Sequence, residues 1–193
     1  LGGSAILLSA TMPHALREKL LQAWVRGRSI HGRTVAADLP SERAFPLLTR
    51  VSDKGAEARH VEAVRTLDVA VRSVFDPSDM YAELLQAHRL GACACWVRNS
   101  VDDAMEAYRE LISVHGLSPD DVTLFHARFA GCDRSRIEGQ VLEVFGKESS
   151  PEQRYGKILI GTQVVEMSLD LDFDLLLSDL APMDSIIQRA GRC

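Results

Sequence analysis

The sequence predicts an α/β fold in which a parallel β-sheet carries helices on both faces. Two observations support this prediction. From Asp76 onward, short apolar runs alternate with segments in which apolar residues recur every three or four positions, the patterns of strands and of amphipathic helices. The runs are nearly continuous rather than alternating, which indicates strands buried on both faces, as in parallel sheets connected by helices.

This part of the chain supplies its regular elements in a repeating order. The predicted strands span residues 92–97, 122–125, 157–162 and 175–177. The predicted helices span residues 78–90, 101–114, 133–145 and 184–190. Asp133 is expected to be the N-cap of the third helix, because its carboxylate can accept a backbone N–H of the first turn. Ligands of such sheets gather at the carboxyl ends of strands, so polar residues that follow these runs are candidate functional residues.

The first part of the chain is less regular. An apolar run at residues 5–8 predicts a buried strand, and Pro13 suits the first turn of the helix that follows it. Glycines and prolines interrupt residues 26–60, which we interpret as a connecting region with one strand at 44–51. Alternating apolar and polar residues at 67–74 predict a half-exposed strand.

The composition is that of a folded chain. It has 193 residues, of which 46% are hydrophobic and 25% charged, and a net charge of −5, which excludes disordered and collagen-like classes. No window approaches the roughly 18 apolar residues that a membrane helix needs, so we expect no membrane partner. The net charge does not forbid a nucleic-acid partner, because phosphate binding depends on a local basic patch.

Cysteine usage and the start of the chain indicate its context. Cys93 and Cys95 fall within an apolar run and are expected to be small buried residues of a strand. The four cysteines form no recognisable disulfide framework, so we expect a reducing compartment, the cytoplasm. The chain begins at Leu1 without a signal-peptide pattern, and we interpret it as a piece of a longer protein.

Three polar segments follow predicted strands or lie near the end of the chain. They are Ser9-Ala10-Thr11, Gly161 to Asp170, and Gln188-Arg189-Ala190-Gly191-Arg192. In order and spacing they resemble motifs III, V and VI of superfamily 2 nucleic-acid helicases. Further stretches are similar to the Cas helicase-nucleases of type I CRISPR systems: 99–104, 124–129, 162–174 and 179–182. The resemblance covers nearly the whole chain and is weakest between about residues 26 and 75.

The resemblance implies a domain organisation and a function. Residues 1–60 would be the end of a first RecA-like lobe with its connecting region, 61–75 a linker strand, and 76–193 most of a second RecA-like lobe. The intact protein would be an ATP-dependent DNA helicase or translocase in CRISPR antiviral defence. Its partners would be single-stranded DNA and a type I CRISPR effector complex.

The last segment supplies residues that the resemblance assigns to ATP. Arg192 would stabilise charge that spreads over the γ-phosphate in the transition state, and Gln188 would face the nucleotide. Asp170 would contact the ribose, and Arg189 and Gly191 would also lie at the ATP site. Taken alone, these arginines would be interpreted as solvated charges at a helix end.

The resemblance also assigns residues to nucleic acid and to coupling between the two ligands. The nucleic-acid residues would be Thr162, Gln163, His126 and Arg128, with Thr162 at a backbone phosphate. The coupling residues would be Ser9, Thr11 and Glu166. For His126 and Arg128 a merely solvated loop remains an alternative. Ser9 and Thr11 equally suit a helix N-cap.

Several parts of an ATP site are missing from the sequence. No G-x-x-x-x-G-K-[ST] motif occurs, nor an Asp-Glu pair for magnesium, nor the His-Asp cluster of a nuclease. We therefore expect ATP and Mg²⁺ in the intact protein, magnesium ligands outside this chain, and no activity from the chain alone. Asp170, Asp172 and Asp174 do not form an EF-hand, because Leu175 and Ala181 replace its Gly and Glu, and no metal site is predicted.

Two alternatives remain open at this point. One is another superfamily 2 member, such as an RNA helicase or a restriction translocase. The other is a non-catalytic lobe that only docks a partner. A P-loop and an HD nuclease upstream of Leu1 would favour the CRISPR helicase over both.

Overall fold

The computed structural model describes residues 4–30, 40–52, 54–63, 66, 68–166 and 169–193. The chain divides into two compact units, Leu1–Asp68 and Val69–Cys193. Within the described residues, no helix combines the length and the apolar character needed to cross a membrane.

The first unit contains a long helix and a β-hairpin. Helix α1 spans His14–Ile30, and the Pro13 carbonyl accepts hydrogen bonds from two backbone N–H groups of its first turn, which confirms the helix expected after this proline. Strands β1 (Leu47–Ser52) and β2 (Gly55–His60) pair in antiparallel fashion. The strand predicted at 44–51 is confirmed as β1, whereas β2 was not predicted because it carries no large apolar side chain.

Two strand predictions are wrong for the described residues. Residues 4–9 and 68–76 have no regular secondary structure, and Leu67 lies outside the described residues. Leu8 is 91% exposed and Phe75 is 94% exposed. A strand needs a neighbour to accept its ladder of hydrogen bonds, and neither of the two sheets among the described residues provides one for these runs.

The second unit is built around a four-stranded sheet. Its helices are α2 (Pro77–Leu90), α3 (Val101–Ser113), α4 (Gly131–Phe145), α5 (Pro151–Arg154) and α6 (Met183–Ala190). Its strands are β3 (Ala94–Val97), β4 (Val122–Phe125), β5 (Ile158–Gly161) and β6 (Leu175–Ser178), and a 3-10 turn spans Gln163–Glu166. The strand order is β4-β5-β3-β6 and every pairing is parallel, which confirms the predicted parallel sheet.

Successive residues of each strand pack into two separate cores. On β3, Ala94 and Trp96 face the core that α2 and α3 share, whereas Cys95 and Val97 face the core that α4 shares. The helices therefore cover both faces, as predicted. Cys93 is fully buried as expected, and its burial raises the pKa of the thiol to about 12, so this thiol stays protonated at neutral pH.

Short polar side chains define where the helices begin. Asp76 caps α2 by accepting the Ser78 N–H at 2.9 Å, and Ser100 caps α3 by accepting the Asp103 N–H at 3.1 Å. The predicted N-cap Asp133 is wrong, because α4 begins two residues earlier with Ala130 at the cap position. Asp133 lies instead in the first turn, where its charge favours the positive end of the helix dipole.

The register of the sheet aligns the ends of its strands. Gly161 of β5 is opposite both Phe125 of β4 and Val97 of β3, and Val97 is opposite Ser178 of β6. The residues that follow all four strands therefore lie along one border, which we call the carboxyl edge. The opposite border, where the strands begin, is the amino edge.

Candidate functional site

The carboxyl edge collects polar residues from all four strands of the second unit. The first residues beyond the strands are Arg98, His126, Thr162 and Asp179. Gly161 allows this edge to be tight, because a Cβ there would collide with the Val165 side chain and lie 3.2 Å from the Phe125 carbonyl. Residues predicted for nucleic acid thus share one border of the sheet.

Thr162 and Gln163 open the 3-10 turn after β5. The Thr162 N–H donates to the Phe125 carbonyl at 3.3 Å, and its own carbonyl accepts the Val165 N–H at 3.0 Å. Thr162 is only 3% exposed. Gln163 is exposed, and its side-chain amide donates to the Asn99 carbonyl at 3.1 Å.

His126 and Arg128 follow β4 but differ in what they offer. His126 is 5% exposed, stacks on Phe129 with ring centroids 4.1 Å apart, and accepts the Arg128 N–H on Nδ1 at 3.3 Å. Burial lowers the pKa of His126, and the Arg128 charge lowers it further. The exposed Arg128 side chain pairs with Asp102 at 2.6 Å, so it is the accessible cation of the two.

Asp179 joins β6 to the end of β3. Its Oδ2 accepts hydrogen bonds from Arg98 Nε at 2.9 Å and from the Asn99 N–H at 3.0 Å. The Arg98 guanidinium also lies 4.3 Å from the centre of the Trp96 ring, which holds it in place. No role was predicted for Arg98 or Asp179 from the sequence, although each directly follows a strand.

A buried ion pair connects α6 to the turn after β5. Arg189 is 2% exposed and Glu166 is 8% exposed, and Arg189 Nε lies 2.7 Å from Glu166 Oε1. Arg189 Nη1 donates to Ser178 Oγ at 2.7 Å and to the Asp179 carbonyl at 3.1 Å. Arg189 was predicted to bind ATP, but in this structure its guanidinium is used inside the lobe and holds α6 against β6.

Arg192 lies next to Asp170. Arg192 Nη2 donates to the Glu166 carbonyl at 3.0 Å and Nη1 donates to the Leu169 carbonyl. The same guanidinium lies 3.9 Å from Asp170 Oδ1. The Asp170 carboxylate also pairs with Lys147 at 2.7 Å. Because the carboxylate is exposed, it is still accessible to a ligand hydroxyl.

The remaining predicted residues lie in two places. Gln188 and Gly191 are exposed on α6 and at its end, where Gly191 donates its N–H to the Ile187 carbonyl at 3.1 Å. Ser9 and Thr11 belong to the first unit, where Ser9 Oγ accepts the Thr11 N–H at 3.2 Å. The structure thus brings Glu166, Asp170, Arg189 and Arg192 together within the second unit, while Ser9 and Thr11 are part of the other one.

The described residues contain no group of three or more His, Cys, Asp or Glu side chains that could hold a metal ion. This applies to Asp170, Asp172 and Asp174, of which Asp172 pairs with Arg154 at 2.9 Å and Asp174 accepts the Cys93 N–H at 2.8 Å. The three carboxylates thus take part in ion pairs with Lys147 and Arg154 and in a hydrogen bond with the Cys93 N–H.

Comparison with known proteins identifies the family of this chain. Residues 90–193, more than half of the chain, match the family described as CRISPR-associated nuclease/helicase Cas3, C-terminal. The chain belongs to this family. It is 34% identical over 201 residues to the CRISPR-associated endonuclease/helicase Cas3 of Escherichia coli K12, an alignment that includes 99% of this chain and 21% of that protein. The chain thus spans about a fifth of this curated relative.

Solved structures agree with the fold. The chain matches a crystal structure of T. fusca Cas3-ATP with a TM-score of 0.77 and 31% identity, over 96% of this chain and 23% of that one. It also matches a chain of a CRISPR RNA-guided surveillance complex, pre-nicking, with a TM-score of 0.72 and 30% identity, over 96% of this chain and 24% of that one. The prediction of a RecA-like helicase lobe is confirmed.

Proposed function

We propose that this chain is part of an ATP-dependent DNA helicase or translocase that acts in CRISPR antiviral defence. Residues 76–193 form most of its second RecA-like lobe. Residues 1–60 form the end of the first lobe with its connecting region, and 61–75 form the linker. ATP binding between the lobes would drive steps along single-stranded DNA and feed it to a nuclease domain outside this chain.

One observation carries this proposal: the end of α6 and the segment after β5 form a single assembly. Arg192 donates to the Glu166 carbonyl at 3.0 Å and lies 3.9 Å from Asp170. A cation and an acceptor for hydroxyl groups are therefore adjacent. This combination suits a nucleotide, whose phosphate is anionic and whose ribose offers hydroxyl donors.

Each residue of the assembly has a distinct task in the proposed reaction. Arg192 would exchange its carbonyl partners for oxygens of the γ-phosphate and stabilise the charge that develops there. Asp170 would orient the ribose, while Gln188 and Gly191 would line the nucleotide from α6. Magnesium would neutralise phosphate charge, and its ligands would come from outside this chain, since the sequence has no Asp-Glu pair for it.

Nucleic acid would bind at the carboxyl edge. Among the predicted nucleic-acid residues, Gln163 and Arg128 are exposed. Thr162 lies beside Gln163, and their donors suit backbone phosphates rather than bases. The match to a chain of a CRISPR RNA-guided surveillance complex supports a type I CRISPR effector complex as partner. The free, buried thiols Cys93 and Cys95 support a reducing compartment such as the cytoplasm.

The deciding experiment compares ATP hydrolysis by the full-length protein and by the 193-residue chain. We expect the full-length protein to hydrolyse ATP faster with single-stranded DNA, and the chain alone to release no phosphate above background, because it lacks a phosphate-binding loop. Stimulation by RNA but not DNA would favour an RNA helicase. No hydrolysis with either nucleic acid would favour a docking lobe.

A further inference from the structure

We propose that Asp179 is a positioning residue that couples the nucleic-acid side of the carboxyl edge to the arginines of α6. This inference rests on the proposed function, and it adds a route through Asp179 to the covalent connection that the 3-10 turn Gln163–Glu166 already provides. Asp179 touches neither ligand and acts through the residues that it holds.

One half of the coupling runs from the exposed Gln163 to Asp179. Gln163 Nε2 donates to the Asn99 carbonyl at 3.1 Å, and the Asn99 N–H donates to Asp179 Oδ2 at 3.0 Å. The Asn99 side chain also donates to the Leu180 carbonyl at 2.8 Å. A displacement of Gln163 by a bound strand is therefore transmitted through the backbone of Asn99.

The other half runs from Asp179 to Arg192. The Asp179 carbonyl accepts Arg189 Nη1 at 3.1 Å, and Arg189 Nε binds Glu166 Oε1 at 2.7 Å. The Glu166 carbonyl in turn accepts Arg192 Nη2 at 3.0 Å. Every link is within hydrogen-bond distance, and Arg189 and Glu166 are buried in a setting that favours strong polar interactions.

Asp179 is the residue where the two halves meet. Its carboxylate serves the β3 side and its backbone carbonyl serves the α6 side. The carboxylate is fixed from a second direction by Arg98, at 2.9 Å, which itself packs on Trp96. Truncating the side chain therefore cuts the link to Asn99 but leaves the carbonyl for Arg189, so the two halves can be separated experimentally.

The test uses the full-length protein and measures the ratio of kcat for ATP hydrolysis with and without single-stranded DNA. We expect Asp179→Ala to lower this ratio by about 5- to 20-fold, in the lower part of the usual range of coupling between sites, with a KM for ATP within about twofold of the wild type. Asp179→Asn should restore much of the ratio, because its amide oxygen still accepts the Asn99 N–H.

The matched control is Asp121→Ala at the amino edge. Asp121 binds Lys157 at 2.8 Å, and this pair is buried to nearly the same extent as the Arg98–Asp179 pair. The Asp121→Ala variant therefore loses a similar ion pair far from the proposed path. A ratio that falls equally in Asp121→Ala and Asp179→Ala would overturn the coupling role and leave the proposed function standing. A wild-type protein without DNA-stimulated hydrolysis would instead overturn the proposed function itself. If Asp179→Ala does not fold, the same comparison is made with Asp179→Leu, whose side chain fills a similar volume but accepts no hydrogen bond, and its ratio must then fall below that of Asp121→Leu.

Discussion

The two edges of the sheet use the same chemistry in different ways. At the amino edge, Lys157 binds Asp121 at 2.8 Å and Arg154 binds Asp172 at 2.9 Å. At the carboxyl edge, Arg189 binds Glu166 at 2.7 Å. The distances are alike, but the surroundings are not, because the Arg189–Glu166 pair is almost completely removed from solvent.

The edges differ above all in how their pairs are connected. Each amino-edge cation also donates to a backbone carbonyl, Arg154 to that of Asp172 and Lys157 to that of Asp120. At the carboxyl edge each group passes a hydrogen bond to the next, from Gln163 through to Arg192. Similar ion pairs thus stand at both edges, but at the carboxyl edge they are part of a longer series of hydrogen bonds.

The largest effect should come from breaking the buried pair at the carboxyl edge. Glu166→Ala leaves the Arg189 charge buried and without its carboxylate, which should lower the free energy of unfolding by about 3–5 kcal/mol. Asp121→Ala at the amino edge should cost no more than about 1 kcal/mol, because that pair is partly hydrated. Urea unfolding of the 193-residue chain followed by circular dichroism measures both. Equal losses for the two variants would contradict the contrast between the edges.

The second prediction concerns catalysis by the full-length protein. Arg192→Ala should lower kcat for DNA-stimulated ATP hydrolysis by about 100-fold and change KM for ATP little, because the guanidinium acts on charge that develops in the transition state. Lysine should rescue poorly, since it lacks the planar fork that pairs with two oxygens. Arg154→Ala at the amino edge should keep a near-normal kcat. Arg192→Ala with a near-normal kcat would reduce Arg192 to a helix-end charge.

Sequence patterns predicted the sheet well because its signal is local. A continuous apolar run such as 158–160 can bury all of its side chains only inside a sheet that is covered on both faces. This pattern was enough to predict the four strands of the second unit. The exposed run at 5–8 shows where this argument fails, because a strand also needs a neighbour that a local pattern does not reveal.

The candidate site also has features that a local pattern predicts and features that depend on contacts between distant residues. The polar segments after strands were found from their position, and the sheet brings most of them to one edge. Asp179 was missed because its bond to the Asn99 N–H joins residues 80 positions apart. The buried state of Arg189 was missed for the same reason, since the pattern Gln188–Arg192 looks the same on an exposed helix and on one held by Glu166.

A third prediction sharpens the comparison by asking whether the carboxyl edge binds nucleic acid. Thr162→Ala in the full-length protein should weaken binding of single-stranded DNA by roughly 2- to 10-fold, the effect of losing one hydrogen bond. The loss should be equal for different base sequences, because a phosphate contact carries no base identity. Thr123→Ala, the same change within β4 away from the edge, is the control. A loss confined to one sequence in fluorescence-anisotropy titrations would refute the phosphate contact.

The smallest effect should be a pH dependence that His126 gives to the carboxyl edge. Burial lowers the pKa of His126 below its ordinary value of 6.5, so the folded chain holds this imidazole neutral where the unfolded chain already protonates it. Its Nδ1 also needs to stay unprotonated to accept the Arg128 N–H. The contribution of His126 to the free energy of unfolding is therefore complete above pH 6.5 and is lost as the pH falls toward the lower pKa of the folded state.

His126→Gln keeps a hydrogen-bond acceptor but cannot titrate, so its free energy of unfolding should fall less than that of the wild type between pH 8 and pH values below 6.5. Parallel slopes for the two proteins in urea unfolding across this range would show that His126 does not titrate on unfolding.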